Sequence, residues 1–410
     1  MKENKKILSK IIITIFLMII VRLLASIPLP GVDISSLSTV INQLPFMEFL
    51  KMFSGGNLES FSIIATGITP VITASLIVQL LGISFPNFLD KEDPEKTAKI
   101  NKIASIPITF LQSFAVMKLL KVETNNLGHL ITSMLILTAG TFILIWISSK
   151  ITEYGIGNGV SIILSANILS GFVGGIKSTN IFISLFVLIL VSILIIYWQD
   201  AQIKIPVKYA KKIVGRKMYG GNSSFIPLKA SVSGVLPIIY TTTIISFIIG
   251  IISLIKNNSF IIELLNPSTW FNIQKLWPTL GIIPYVLLIY VFSIFSAEEN
   301  INHYEISKNL QNGGAMIPGI RSGKPTSDYI KEKTKKVIFI GFIGLTIIWI
   351  IPSIIQGLSK TPIIFTGTSL IIVIGTLLEI VEQIKNMKQY GNYGGFLKWF
   401  WILFYQYYLL

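Results

Sequence analysis

The stretch GITPVITAS, Gly67 to Ser75, interrupts the apolar run that contains it, and GVLPIIYTT, Gly234 to Thr242, interrupts a second run in the same way. In each, a glycine stands three residues before a proline and a threonine follows soon after. Proline removes a backbone donor and glycine loosens the backbone, so both runs are expected to be broken helices. Loosened backbone in hydrocarbon must be satisfied by neighbouring helices, by Ser or Thr hydroxyls, or by water. Paired Gly/Pro-interrupted helices at matching positions of two halves point to an internal repeat, with the functional pathway where the halves meet. Pro kinks in an ordinary bundle would leave the same trace.

The rest of the chain supplies the frame. Of 410 residues, 52% are hydrophobic and 13% charged, and several apolar runs exceed the ~18 residues that mark a membrane-spanning helix. Ten spans are expected, at about 11 to 27, 61 to 83, 103 to 120, 130 to 149, 159 to 173, 181 to 198, 231 to 255, 277 to 296, 337 to 356 and 367 to 384. The two interrupted runs are then the second span of the first five and the second of the last five. This gives an all-α integral membrane protein with an N-terminal half, 1–180, a C-terminal half, 181–384, and a tail, 385–410. Lys and Arg fall unevenly between the loops. The N-terminus, the tail and the loops after spans 2, 4, 6 and 8 hold 26 of the 34, the opposite loops hold 7, and Arg22 lies inside span 1. The positive-inside rule places both termini in the cytoplasm. The net charge of +15 is mostly two basic cytoplasmic loops, 199–230 and 297–336. The N-terminal MKENKKILSK with its apolar run mimics a signal peptide, but IPLPG follows in place of a small-residue cleavage pattern, so a retained first helix is expected. There is no cysteine, hence no disulfide framework or thiolate metal site.

A coupled solute carrier usually needs a carboxylate, His or Lys near the midplane, because coupling needs a group that binds and releases charge there. Here Arg22 lies towards the outer end of span 1, Glu379 and Glu382 near the inner end of span 10, and His129 and His303 in loops. No Ser/His/Asp or paired-carboxylate pattern is placed for catalysis, and no cofactor is implied. GAMIPGIRSGKPT, Gly314 to Thr326, imitates a nucleotide-phosphate loop, yet a Walker A loop needs G-x-x-x-x-G-K-[ST]. Pro318 stands at its first glycine and Pro325 where the hydroxyl should be. A passive, gated channel driven by something else fits these absences.

Seven pieces, in order and on the expected spans and loops, make the chain resemble the SecY/Sec61 protein-conducting channel family in its bacterial form. They are RLLASIPLPG (22–31), MFSGGNLESFSIIATGITPVITASLIVQLL (52–81), ITEYGIGNGVSII (151–163), IPVKYAKK (205–212), GRKMYGGNSSFIPLK (215–229), GGAMIPGIRSGKPT (313–326) and GTSLIIV (367–373). The resemblance implies a SecY-like inverted repeat and a central channel subunit of the Sec translocase in the bacterial plasma membrane. Such a subunit passes unfolded preproteins across and releases membrane segments sideways to lipid. It also implies SecE- and SecG-type small subunits, a SecA-type motor ATPase and the ribosome as partners.

By position, the plug would be the half-helix from about Lys51 to Thr66, including Phe53, Ser54, Gly55, Gly56, Asn57 and Leu58; an ordinary extracellular loop would hold the same glycines. The pore ring would be Ile68, Ile72, Val160, Leu164, Ile239 and Ile372. Branched apolar rings dewet and so close to water and ions, yet make no sequence-specific hydrogen bond with a passing chain. The same side chains would serve equally as core or lipid-facing residues. The side gate, between spans 2 and 3 on one side and 7 and 8 on the other, would use Thr73, Gln112 and Thr243, unless these hydroxyls bond their own helices. Motor or ribosome docking would fall to Arg321 in PGIR with Lys324, and to Lys204, Lys208, Lys211, Lys212, Arg216 and Lys217, some of which also serve as topology charge.

Two features depart from the family pattern. The end of span 6 reads YWQDAQIKIPV, where many members are more basic and carry a glutamate. The tail GGFLKWFWILFYQYYLL is aromatic rather than polar, and its run Trp399 to Leu410, too short to span a bilayer, suits an interfacial segment. A general channel and a specialised accessory-Sec channel with a restricted substrate set both stay open, as does an inverted-repeat solute or lipid transporter.

Overall fold

The computed structural model describes residues 2–30, 62–84, 94–119, 127–175, 181–209, 212–214, 217–219, 223–255, 259–271, 275–359 and 366–408. The helices are α1 (Lys2–Ala25), α2 (Thr69–Ser84), α3 (Pro94–Leu119), α4 (Leu127–Tyr154), α5 (Gly159–Gly175), α6 (Ile181–Asp200), α7 (Leu236–Ile255), α8 (Ser259–Leu265), α9 (Ile282–Asn300), α10 (His303–Asn312), α11 (Lys324–Ser359) and α12 (Gly367–Tyr408). Among the described residues seven helices are long and apolar enough to cross a membrane. Three shorter apolar helices, Thr69–Gly82, Gly159–Phe172 and Leu236–Ile249, occupy the second, fifth and seventh expected spans. The chain forms two compact units, Met1–Lys177 with Ile372–Leu410, and Ser178–Ile371.

The helix at the expected second span, Thr69–Ser84, is shorter than the apolar run at 61 to 83, and the reason is local. Gly67 sits at φ +60°, and the chain from Ser62 to Ile68 turns through bonds such as Ala65 N–H to the Ser62 carbonyl at 2.9 Å and Gly67 N–H to the Ile64 carbonyl at 2.8 Å. Helix α2 then starts at Thr69 with Pro70 in its first turn, where a missing N–H costs nothing. The seventh span repeats this. Gly234 sits at φ +64°, a 3₁₀ turn covers Ala230–Ser233, and α7 starts at Leu236 with Pro237 next.

The correspondence extends to what packs against each break. A Cβ on Gly140 in α4 would lie 2.1 Å from the carbonyl oxygen of Ile63, four residues before Gly67. A Cβ on Gly341 in α11 would lie 2.1 Å from that of Ala230, four residues before Gly234. Eight residues beyond each of these glycines, the carbonyls of Ser148 and Trp349 stand 2.0 and 2.3 Å from where Gly159 and Gly367, the first residues of α5 and α12, would carry a Cβ. Two sets of close backbone crossings at matching register are the signature of a repeat, each inside its own unit.

In the first unit, Arg22 of α1 donates to the Ala166 carbonyl of α5, the Ile156 N–H donates to Thr14 Oγ1 at 3.0 Å, and Gly157 N–H donates to Gln383 of α12. Helix α12 runs 42 residues, about 63 Å at 1.5 Å per residue, so the backbone stays helical from span 10 through the tail to Tyr408. In the second unit, buried Trp270 meets Tyr285 edge-on at 5.0 Å and Trp349 at 5.6 Å. Its indole N–H donates to the Leu264 carbonyl at 2.9 Å, fixing the segment between α7 and α9.

The basic loops are not irregular. Strand β1 (Gln202–Tyr209) pairs antiparallel with β4 (Ser223–Lys229), from Gln202↔Lys229 to Lys208↔Ser223, and with β5 (Ala315–Met316) through Lys208↔Met316 and Tyr209↔Ala315. A smaller hairpin, β2 (Lys212–Val214) with β3 (Lys217–Tyr219), lies between β1 and β4 in the chain. One face of the three-stranded sheet is packed: Ile205, Val207, Leu228, Ala315 and Ile317 form a core with Ile330 and Val337 of α11. Each of the Ile, Val and Leu side chains contributes roughly 1.5–3 kcal/mol by burial. The loops after spans 6 and 8 are therefore one folded module.

Candidate functional site

The residues expected to form the constriction sit at the starts of the interrupted helices and their neighbours. Ile68 and Ile72 are buried at the break and first turn of α2, Leu164 is buried and Val160 half-buried at the start of α5, Ile239 is buried in the first turn of α7, and Ile372 is buried early in α12. Ile72 and Ile239 each stand five residues after the glycine of their break, so they are counterparts in the repeat.

Of the residues expected at the side gate, two meet. Gln112 Nε2 of α3 donates to Thr73 Oγ1 of α2 at 3.2 Å, while the Thr73 hydroxyl donates to the Thr69 carbonyl at 3.0 Å. The Gln112 side-chain carbonyl is buried with no hydrogen-bond partner among the described residues. Thr243 spends its hydroxyl on its own helix, donating to the Ile239 carbonyl at 2.7 Å. The plug residues Phe53 to Leu58 lie outside the described residues, as do Lys211 and Arg216.

Lys204 and Lys208 are exposed on β1, and Lys212 and Lys217 belong to the small hairpin. Arg321 and Lys324 are exposed where the loop turns into α11. The stretch that imitates a phosphate loop uses its polar groups on itself. Thr326 is buried and its hydroxyl donates to the Arg321 carbonyl at 2.8 Å. The Ser307 hydroxyl donates to the Gly323 carbonyl at 2.7 Å, and Gly323, at φ +97°, makes the turn into the helix. Upstream stands the two-residue β5 of an antiparallel sheet rather than a buried parallel strand. Among the described residues no group of three or more His, Asp or Glu could hold a metal ion. The sequence reading missed the sheet, although IKIPVK and SFIPLK alternate as a half-buried strand does.

The family model for SecY matches residues 62–381, from the first break to beyond the last expected pore residue. The chain belongs to the SecY family. It is 33% identical to the protein translocase subunit SecY of Rickettsia typhi over 97% of both chains. It superposes on a solved protein-conducting channel with a TM-score of 0.71 at 17% identity, over 93% of each chain. Canine Sec61, solved in a ribosome–channel complex from the endoplasmic reticulum, gives 0.66 at 16% identity over 93% of each. The SecY fold thus covers both interrupted helices and the sheet module of this chain.

Proposed function

We propose that this SecY-family chain is the channel-forming subunit of a bacterial Sec translocase, moving unfolded preproteins across the plasma membrane and releasing membrane segments sideways to lipid. The observation that carries the reading is the pair of matched helix breaks, each leading into a helix whose first turns present a buried branched side chain, Ile72 or Ile239. Within that reading Ile68, Ile72, Val160, Leu164, Ile239 and Ile372 form the constriction. Phe53 to Leu58 belong to the plug, and Thr73, Gln112 and Thr243 border the side gate. The halves are 1–180 and 181–384, both termini are cytoplasmic, and the chain performs no catalysis of its own. Lys204, Lys208, Lys211, Lys212, Arg216, Lys217, Arg321 and Lys324 dock a SecA-type motor or a ribosome, and SecE- and SecG-type subunits complete the complex. The ribosome-bound state of canine Sec61 and the clustering of basic residues on one folded module support the docking assignment.

The test is reconstitution. In vesicles with its small subunits and a motor ATPase, the protein should carry an unfolded preprotein inward in an ATP-dependent manner. Saturable uptake of a small solute without preprotein movement would overturn the assignment in favour of a transporter. A restricted accessory channel is the second reading, favoured by the acid-containing YWQDAQ and by the aromatic tail that continues α12. It predicts that the gene fails to replace a general channel in export of ordinary preproteins.

A further inference from the structure

The sheet that unites the two basic loops has a second face, and it is not simply charged. Ile205 and Val207 point into the core, so by strand alternation Lys204, Pro206 and Lys208 point away from it. Their cross-strand partners share that side: Pro227 opposite Lys204, Phe225 opposite Pro206, and Met316 opposite Lys208 on the other flank. Phe225 is 50% exposed and Met316 48%. Two strand spacings of ~4.8 Å and one two-residue step place them ~12 Å apart across β1, with Pro206 and Lys208 between and Lys204 beside Phe225. Residues 201–229 carry seven Lys or Arg and no Asp or Glu, and 313–327 carry two and none.

We infer that this face docks an acidic protein surface that also presents apolar side chains, with Phe225 and Met316 setting the preference for protein over nucleic acid. The inference rests on the docking role proposed above and names the partner's chemistry. Charge complementarity fixes the sign of the partner, because the lysines exposed on this face, Lys204 and Lys208, lie in a stretch, 201–229, that carries no carboxylate and so favours an acidic surface over a basic one. The apolar component separates the two kinds of anionic partner. RNA phosphates are met by lysine and arginine alone, whereas RNA bases need an open aromatic face on which to stack. Lys204 lies over one face of Phe225, its Nζ 4.9 Å from the ring centroid, and Met316 offers no planar ring, so the pair gives a base at most one stacking face. A protein partner loses nothing by this arrangement: an apolar side chain seated between Phe225 and Met316 is desolvated while its acidic neighbours reach Lys204 and Lys208.

The experiment measures binding of the full-length channel, in lipid nanodiscs, to a purified SecA-type motor and to ribosomes, across a salt series. Phe225→Ser with Met316→Ser should weaken motor binding about tenfold, a usual loss for truncating anchors at an interface, without altering the salt slope, and should leave ribosome binding unchanged. Lys204→Ala with Lys208→Ala should weaken both and flatten the slope. The face packs against no core, so thermal unfolding should be unaltered, and a variant that unfolds early is replaced by Phe225→Leu with Met316→Gln. Unchanged motor binding in the apolar variants, while Arg321→Glu still abolishes it, would overturn the inference and leave the docking role standing. Loss of ribosome rather than motor binding would overturn it in favour of nucleic acid. Motor binding indifferent to all of these, Arg321→Glu included, would sink the docking role as well.

Discussion

The segments 62–68 and 230–235 share a backbone but not an environment. Both turn through a glycine at positive φ, both deliver a Pro-started helix two residues later, and both are crossed at van der Waals limits by a glycine of a long neighbouring helix. The first, however, is almost wholly buried: Ser62, Ile64, Ala65, Thr66 and Ile68 have essentially no exposed surface, and the Thr66 and Thr141 hydroxyls bond each other at 2.8 Å. The second is half open. It hangs from the three-stranded sheet through the Ala230 N–H bond to the Ala201 carbonyl at 2.7 Å and is steadied by Asn300 Nδ2 donating to the Val232 carbonyl at 2.9 Å. The repeat thus conserves the crossing that makes each broken helix possible and varies what feeds into it. In the first half the break is buried among its neighbours, as the proposed barrier would require; in the second it joins the three-stranded sheet, the proposed docking module, directly to α7.

The largest effect should come from the shared crossing. Valine at Gly140 or Gly341 would drive Cβ against a backbone carbonyl that cannot rotate away, and overpacking of this kind costs about 3 kcal/mol or more when backbone must move. Both Gly140→Val and Gly341→Val should lower the unfolding temperature sharply and lead to degradation in cells. Gly171→Ala, with nothing within 4 Å of its Cβ, should be nearly silent. A stable Gly341→Val beside an unstable Gly140→Val would break the equivalence of the two crossings.

Next in size is Arg321→Glu. Its side chain is exposed, so reversal should leave the protein folded and inserted. At a docked interface, breaking a buried ion pair costs ~2 to 5 kcal/mol, enough to abolish motor-driven export. Lys324→Ala should matter much less. Nucleotide bound by the isolated channel and lost in Lys324→Ala would instead revive the phosphate loop.

Much of this was legible in the sequence, for physical reasons that also mark where legibility stopped. The spans could be read because hydrocarbon demands long apolar runs, and the breaks because Gly and Pro alter backbone chemistry whatever surrounds them. The start of α2 at Thr69 rather than about 61 could not, since residues 62 to 68 are as apolar as the helix and only the turn at Gly67 separates them. The sheet was hidden by a different effect: its strands are short, rich in Lys and Pro, and held by a core that α11 completes from over a hundred residues away. Of the gate residues, composition gave no means to see that Thr73 finds Gln112 while Thr243 bonds its own helix.

The constriction sharpens the comparison at counterpart positions. Ile72→Asn and Ile239→Asn each put an amide into the proposed ring, which would close by dewetting, so both should raise resting ion conductance and let weaker signal sequences through. Equal effects would extend the repeat from backbone to function. Unchanged conductance and selectivity in both variants would remove these residues from the ring.

The smallest expected effect separates Thr73 from Thr243. Thr73→Val removes the acceptor that Gln112 Nε2 uses between α2 and α3, and interhelical bonds of this type in membranes are worth ~1 kcal/mol. Thr243→Val removes only a bond from a side chain to its own helix, which is close to neutral because the Ile239 carbonyl keeps its second lone pair for the backbone. If the bond between α2 and α3, which lie on the same side of the proposed gate, keeps that side in its closed arrangement, Thr73→Val should modestly relax the demand for a strong signal sequence, by a few-fold in export of a weak-signal preprotein, and Thr243→Val should not. Gln112→Leu should behave as Thr73→Val, and the double variant should add nothing further, since both remove one bond. An equal or larger effect from Thr243→Val would mean that its hydroxyl leaves Ile239 when the channel opens, and the intrahelical bond would then be a resting position rather than its task.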